Sequence, residues 1–261
     1  MSTNHAIKTL MQRYLVLNGY PAEDVDFSLS CCQGDGASFT GELDVKRLAS
    51  RLVPDVTSTV WDGLVLPEKL EITRDSGMRY VHERSTSLSI DPVYVELTPA
   101  DELGGPAQKV ALHRLVTALA DDVVATGAEL AHRGYKLLDA YVSEKTKLRT
   151  FQTSNFRVDV FKCPDDFDVF ETEEELVYLD QTIQQIMDGE IECFSLKVTV
   201  TMLDDDGDDI AVLAEVDIYG FSRDPSIKGL CTDTRDVVRE AIAEARDTYL
   251  KLMKPRLRLA A

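Results

Sequence analysis

The chain has 261 residues, of which 46 are Asp or Glu and 28 are Lys or Arg, so that its net charge at pH 7 is −18. Its apolar and charged fractions, 44% and 28%, are typical of globular proteins, and no apolar run reaches the ~18 residues expected of a membrane-spanning helix. The negative charge argues against direct binding to nucleic acid or to an anionic membrane, because phosphates would be repelled.

The first hundred residues predict a short helix followed by antiparallel strands. The helix covers residues 1–17, where apolar side chains recur at helical spacing. The predicted strands cover residues 25–32, 37–44, 70–74, 78–90 and 94–97. Gln33-Gly34-Asp35-Gly36 separates the first two strands, and this turn signal predicts a β-hairpin.

A long helix is predicted after Gly104-Gly105-Pro106, because proline suits the first turn of a helix. Apolar residues then recur at intervals of three, four and seven up to about residue 148. The residues in this pattern are Leu112, Leu115, Leu119, Val123, Leu130, Leu137 and Tyr141. Gly127 and Gly134 interrupt the pattern, and we expect them to bend the helix or to split it.

The second half alternates strands and helices around an acidic turn. The predicted elements are a strand at 156–163, a helix at 171–187, paired strands at 194–202 and 210–218, and a helix at 233–253. The paired strands show the clearest alternation of apolar and polar residues in the chain, and Asp204-Asp205-Asp206-Gly207-Asp208-Asp209 forms their turn.

These elements show no regular βαβ order, so the sequence predicts an α+β fold in which antiparallel sheets pack with helices, one of them long and central. We expect a β-rich N-terminal domain at 1–104 that contains the first hairpin. A long helical segment at 105–150 and an acidic α+β domain at 151–261 follow.

The sequence shows no specific metal, cofactor or catalytic motif. Glu215 is the twelfth residue counted from Asp204, as in a calcium-binding EF-hand loop, but Asp209 occupies the sixth position, where that loop needs glycine. The four histidines lack zinc-ligand spacing, and the phosphate-binding glycine motifs are absent. We therefore predict no metal and no cofactor. The missing catalytic motif favours a binding protein over an enzyme, and the enzyme alternative stays open.

The cysteines and the N-terminus bear on the cellular compartment. The five cysteines form no CxxC pair, and the N-terminus has no apolar core of a signal peptide. Both observations indicate reduced thiols in a cytoplasm.

A candidate small-molecule or nucleotide site in the first half centres on the hairpin turn. Its residues are Gln33, Gly34, Asp35, Gly36, Ser38, Tyr80 and His82. Alternation places Tyr80 and His82 on one strand face, where a phenol and an imidazole that face solvent can bind or catalyse. The alternative interpretation, a plain turn beside half-buried sheet residues, stays open.

The residues from Phe27 to Gly41 also carry a resemblance. Gln33-Gly34-Asp35-Gly36-Ala37-Ser38-Phe39 after an apolar strand resembles a segment of phage- and prophage-encoded proteins of uncertain function, and Tyr80-Val81-His82 resembles a strand that follows it in them. The similarity is strong over about 15 residues and weak over roughly the first 95. It implies a phage or prophage origin and a bacterial host cytoplasm, not a reaction.

The negative charge is concentrated between Asp165 and Asp217. This stretch has 18 acidic residues and one base, Lys197, a net of −17, so that the rest of the chain sums to about −1. The predicted acidic surface comprises Glu171, Glu174, Glu175, Asp188, Asp204, Asp205, Asp206, Asp208 and Asp209.

Three functions remain open at this point. The acidic residues could imitate the phosphates of a nucleic acid and occupy the basic surface of a host protein, or they could form a solvated face that only keeps the protein soluble. An enzyme or nucleotide binder would use the first-half site instead. A structural protein would form a homodimer through its long helix.

Overall fold

The computed structural model describes residues 3–32, 35–66, 68–74, 86–171, 176–227 and 231–253. Within these residues the fold is α+β, as predicted, with seven helices and two four-stranded antiparallel sheets. The chain divides into two compact units, which we call the N-terminal unit (Asn4–Lys136) and the C-terminal unit (Leu137–Ala261 with Met1–Thr3). The predicted three-part domain organisation stays a prediction.

The N-terminal unit contains one sheet in the order β1-β2-β3-β4. Its elements are α1 (Thr3–Asn18), β1 (Asp24–Ser28), β2 (Gly36–Glu42), α2 (Val45–Leu52), α3 (Ser58–Asp62), β3 (Glu71–Arg74), β4 (Thr86–Leu88), α4 (Pro92–Leu97) and most of α5 (Pro106–Ala140). The predicted hairpin is confirmed, because β1 and β2 pair in antiparallel with Val25 opposite Phe39. Both side chains are buried, so this hairpin contributes its apolar face to the core.

The strand predicted at 94–97 is wrong, because these residues belong to helix α4. Asp91 caps the helix: its Oδ1 accepts a hydrogen bond from the backbone nitrogen of Tyr94 at 2.6 Å. Pro92 follows in the first turn, where its missing N–H costs nothing. The capping residue and the proline outweigh the β propensity of Val93-Tyr94-Val95.

The long helix α5 is continuous from Pro106 to Ala140, so the predicted end near residue 148 is wrong. Its glycines neither split it nor end it. A Cβ at Gly127 would lie 3.2 Å from the carbonyl oxygen of Ala37 in β2, so the missing side chain lets helix and strand approach closely.

The C-terminal unit contains the second sheet, in the order β5-β6-β7-β8. Its elements are β5 (Thr146–Gln152), β6 (Phe156–Cys163), α6 (Leu176–Met187), β7 (Glu192–Leu203), β8 (Asp209–Arg223) and α7 (Thr232–Met253). Helix α7 packs on one face of this sheet, mainly over β7 and β8. The inner face of the sheet is the face that α7 covers, and the outer face is the opposite one.

The predicted alternation of β8 breaks at a β-bulge. Val200 lies opposite Ala214, but Thr201 lies opposite Val212, which leaves Leu213 as an extra residue. Leu213 and Ala214 are therefore both buried, whereas Val212 is 58% exposed. The bulge reverses the phase of the strand, so the simple alternation predicted for residues 210–218 does not continue through it.

None of the helices in the described part of the chain is both long and apolar enough to cross a membrane.

Candidate functional site

The turn between β1 and β2 is organised by the carboxylate of Asp35. It accepts hydrogen bonds from Ser28 Oγ at 3.2 Å, Ser30 N at 2.8 Å, Ser30 Oγ at 3.0 Å, Cys32 N at 2.9 Å and the Tyr135 hydroxyl. The bond from Tyr135, followed by those from the turn, holds the pKa of Asp35 well below its usual range. The same bond raises the pKa of Tyr135 to about 12. Asp35 thus anchors the turn to helix α5.

The other residues of the candidate site in the first half have different surroundings. Gly36 begins β2, and Ser38 is fully buried, with no hydrogen-bond partner for its hydroxyl among the described residues. Gln33, Gly34, Tyr80 and His82 lie outside the described residues. The first-half binding site therefore stays a prediction.

The outer face of the C-terminal sheet carries a charged network around Asp159, whose side chain is 8% exposed. Asp159 accepts hydrogen bonds from Thr150 at 2.6 Å, Lys147 at 2.9 Å and Arg157 at 2.8 Å. Burial acts to raise the pKa of Asp159, but these three bonds outweigh it and lower the pKa to about 2. Arg157 also pairs with Asp209 at 2.7 Å, so Asp209 is not a free charge of the predicted acidic surface.

Other acidic residues of the 165–217 stretch are likewise engaged within the fold. Lys197 pairs with Glu215 and with Asp217, and Lys162 pairs with Glu192. The carboxylates of Asp165 and Asp168 accept backbone N–H groups from Gly220 and Phe170. The acidity of the sequence therefore exceeds the acidity that the folded surface offers to a partner.

The turn between β7 and β8 keeps its charge exposed. The carboxylate of Asp204 forms hydrogen bonds within the turn. Its Oδ1 accepts the backbone N–H of Asp206 at 3.0 Å and of Asp208 at 2.8 Å. Gly207 supplies the positive φ, +87°, that closes the turn. Asp205, Asp206 and Asp208 are exposed and form no ion pair within the described residues. We call these three residues the acidic tip.

The remaining members of the predicted acidic surface are placed as follows. Glu171 and Asp188 are exposed, and Asp188 accepts a hydrogen bond from Gln184 at 2.9 Å. Glu174 and Glu175 lie outside the described residues. No group of three or more potential metal ligands occurs among the residues that the structure describes.

A cleft lies between α7 and the inner face of the sheet, near the edge strand β5. No pattern in the sequence predicted it. This inner cleft has a volume of about 440 Å³. Its lining is mainly apolar and includes Phe151, Phe156, Leu213, Ile242 and Tyr249. A volume of this size falls within the ~300–1,000 Å³ typical of small-molecule sites.

Beside the inner cleft lies a basic hollow that shares Phe151 with it. Arg149, Arg235 and Arg239 line this hollow together with Val238. We call the three arginines the arginine cluster. Arg235 and Arg239 are four residues apart on α7, and Arg149 is two residues from Phe151 on β5. The two arginines of α7 therefore share one face of the helix, and Arg149 and Phe151 share one face of the strand. This spacing can be seen in the sequence, but the sequence does not show that β5 and α7 lie next to each other in the fold.

Comparison with protein-family models, curated proteins and solved structures finds no match for this chain.

Proposed function

We propose that this protein binds the basic, nucleic-acid-binding surface of a partner protein through its acidic tip. The observation that supports this function is the geometry of Asp205, Asp206 and Asp208, which are exposed and unpaired within the described residues. The acidic residues nearby on the sheet differ, because lysine or arginine side chains already neutralise them.

The tip is suited to binding because hydrogen bonds within the turn restrain its backbone. The hydrogen bonds of Asp204 to the backbone of Asp206 and Asp208 fix the turn without using the three exposed carboxylates. A preorganised group of charges loses less conformational entropy on binding than a flexible one. Carboxylates close together on a turn can take the places of phosphates opposite Arg and Lys, and they also steer the encounter.

The partner we propose is a protein of the bacterial host that binds DNA or RNA. The net charge of −18 favours a basic partner, and the resemblance of the first half to phage-encoded proteins suggests a host target. An inhibitor of this kind would compete directly with nucleic acid for the same surface.

The test compares a tip variant with a variant of equal charge. The tip variant is Asp205→Asn, Asp206→Asn and Asp208→Asn, which leaves Asp204 in place to hold the turn. The matched control removes three exposed charges from α7 through Glu240→Gln, Glu244→Gln and Asp247→Asn. Each protein is immobilised and exposed to bacterial lysate, and captured proteins are identified by mass spectrometry.

We expect the unmodified protein and the α7 control to capture a nucleic-acid-binding protein that duplex DNA or RNA displaces. The tip variant should lose this capture, and raising the salt from about 50 to 500 mM should weaken it, because exposed charges are screened. Equal capture by all three proteins, or capture that nucleic acid does not displace, would contradict the proposal.

A further inference from the structure

We propose that the inner cleft and the arginine cluster together form a binding site for a small amphipathic carboxylate, an apolar chain that ends in one carboxylate. The chain would enter the inner cleft, and the carboxylate would meet Arg149 and Arg235. This site is independent of the acidic tip.

The inner cleft exists because α7 covers only part of the sheet. The helix packs mainly over β7 and β8, whereas β5 is the opposite edge strand. Phe151 of β5 points to the same side as Val158, its neighbour on β6, yet it is 39% exposed. Ile242 of α7 also lines the cleft and is 39% exposed. Apolar side chains from two elements thus face a space that the protein itself leaves open, and an apolar ligand gains by filling it.

The arginine cluster gives the inner cleft a preference for anions. Arg149 stacks over the Phe151 ring at 5.2 Å from the ring centre and forms no ion pair within the described residues. Arg235 also has no carboxylate partner there, whereas Arg239 pairs with Asp236. Unpaired guanidinium groups are unexpected in a chain with 46 acidic residues and 28 basic ones. Arg246, in the lining of the inner cleft itself, also forms no ion pair within the described residues. Unpaired guanidinium groups beside an apolar space indicate a ligand with its own negative charge.

A carboxylate with an apolar chain fits this combination better than other anions do. The guanidinium group binds a carboxylate through two parallel hydrogen bonds, and Phe151 connects the arginines to the inner cleft. Nucleic acid is disfavoured by the net charge, which repels its repeated phosphates. A single carboxylate meets only the local positive charge of the arginines.

The experiment uses the full chain and dodecanoate as the probe, below its micellar concentration, in isothermal titration calorimetry. We expect dodecanoate to bind at one molecule per chain. Dodecanol, which has the same chain without the charge, should bind at least about tenfold more weakly, and dodecyltrimethylammonium should not bind.

Two variants separate the parts of the proposed site. Arg149→Gln with Arg235→Gln should weaken dodecanoate binding at least about tenfold and leave dodecanol binding unchanged. Ile242→Trp should block both ligands by filling the inner cleft. Thr153→Trp, at an exposed position of the lining, serves the same purpose if the first substitution prevents folding.

The matched control is Lys145→Gln with Lys251→Gln, which removes two positive charges of the same unit away from the cleft lining. It should bind dodecanoate like the unmodified protein. The proposal is overturned if dodecanoate does not bind, if dodecanol binds equally well, or if the control loses as much affinity as the arginine variant. Far-ultraviolet circular dichroism of each variant verifies its fold.

Discussion

Ser38 carries a buried hydroxyl that no described residue satisfies. Its side chain is fully buried, and Oγ has no hydrogen-bond partner among the described residues. Burial of an unpaired hydroxyl costs free energy, so we expect Ser38→Ala to raise the free energy of unfolding by about 1 kcal/mol. Urea denaturation followed by circular dichroism measures the change.

Ser195 provides the control for this substitution. It is also buried, but its hydroxyl donates towards the carbonyl oxygens of Cys163 at 3.4 Å and Pro164 at 3.3 Å. Ser195→Ala should therefore lower the stability where Ser38→Ala raises it. Equal losses in both variants would mean that the Ser38 hydroxyl has a partner after all.

Asp159 makes the C-terminal unit sensitive to acid. Its folded-state pKa of about 2 lies below the ~3.9 of an unfolded chain, so its ionisation stabilises the fold above about pH 4. This contribution, about 2 kcal/mol, is lost as the pH falls from about 4 to about 2. We expect unmodified protein to exceed Asp159→Asn in stability at pH 7 and the difference to shrink towards pH 2, as measured by urea denaturation.

Asp247 is the reference for this pH dependence, because it is exposed and forms no ion pair within the described residues. Asp247→Asn should leave the stability at pH 7 close to that of the unmodified protein, because it breaks no ion pair within the described residues. A difference between the unmodified protein and Asp159→Asn that stays constant down to pH 2 would show that packing, and not the charge, carries the effect.

At the scale of elements, helix α5 depends on Gly127 for its distance from β2. Valine at this position would place atoms against the Ala37 carbonyl, where even a Cβ lies at 3.2 Å. We expect Gly127→Val to lower the free energy of unfolding by about 1–3 kcal/mol, although most substitutions of glycine within a helix improve helix propensity. Thermal and urea unfolding both measure this loss.

Ala128, the next residue, is exposed on the same helix and controls for propensity. Ala128→Val should cost only the lower helix propensity of valine, about 0.7 kcal/mol or less. If Gly127→Val costs no more than Ala128→Val, the helix is free to move away from β2, and the close approach has no energetic role.

Elements with a long, regular pattern were predictable from the sequence. The alternation in β7 and the helical spacing in α5 and α7 each correspond to an observed element, because burial of one face dominates over many residues. Among the short elements, the hairpin of β1 and β2 was predicted from its turn signal, but α4 was not, since a local cap decides it. The strand β5 was missed because its residues, mostly exposed at the sheet edge, show little apolar alternation.

Of the candidate sites, the sequence likewise predicted the part that is local in the chain and missed the part that depends on tertiary structure. The acidic tip is a contiguous turn, so its residues were predicted, but the pairing of Asp209 with Arg157, 52 residues away, depends on strand register. The inner cleft combines β5 with α7, which lie far apart in sequence. Only tertiary structure brings their residues together, and no local pattern predicts it.

For the whole molecule, the distribution of charge matters more than its sum. The net charge of −17 between Asp165 and Asp217 already includes Lys197, and the ion pairs of Lys162 with Glu192 and of Arg157 with Asp209 offset only part of it. The unneutralised carboxylates repel one another in the folded state more than in an extended chain. Self-repulsion therefore lowers the stability of the fold at neutral pH and low salt.

We expect added salt to stabilise the protein at pH 7. An increase of sodium chloride from about 20 to 500 mM shortens the screening length several-fold and should raise the midpoint of thermal unfolding by about 2–4 °C, equivalent to about 1 kcal/mol. Differential scanning calorimetry measures the shift. The same salt weakens the exposed ion pairs, but such pairs contribute at most about 1 kcal/mol each and often nothing.

The tip variant distinguishes repulsion from other effects of salt. Replacement of Asp205, Asp206 and Asp208 by asparagine removes three of the closest like charges without disturbing Asp204, so this variant should start with a higher midpoint at low salt and gain less from sodium chloride. A fall in the midpoint of the unmodified protein with added salt would mean that the ion pairs around Asp159 and Lys197 outweigh the repulsion. In that case self-repulsion within the acidic stretch does not limit the stability of the fold.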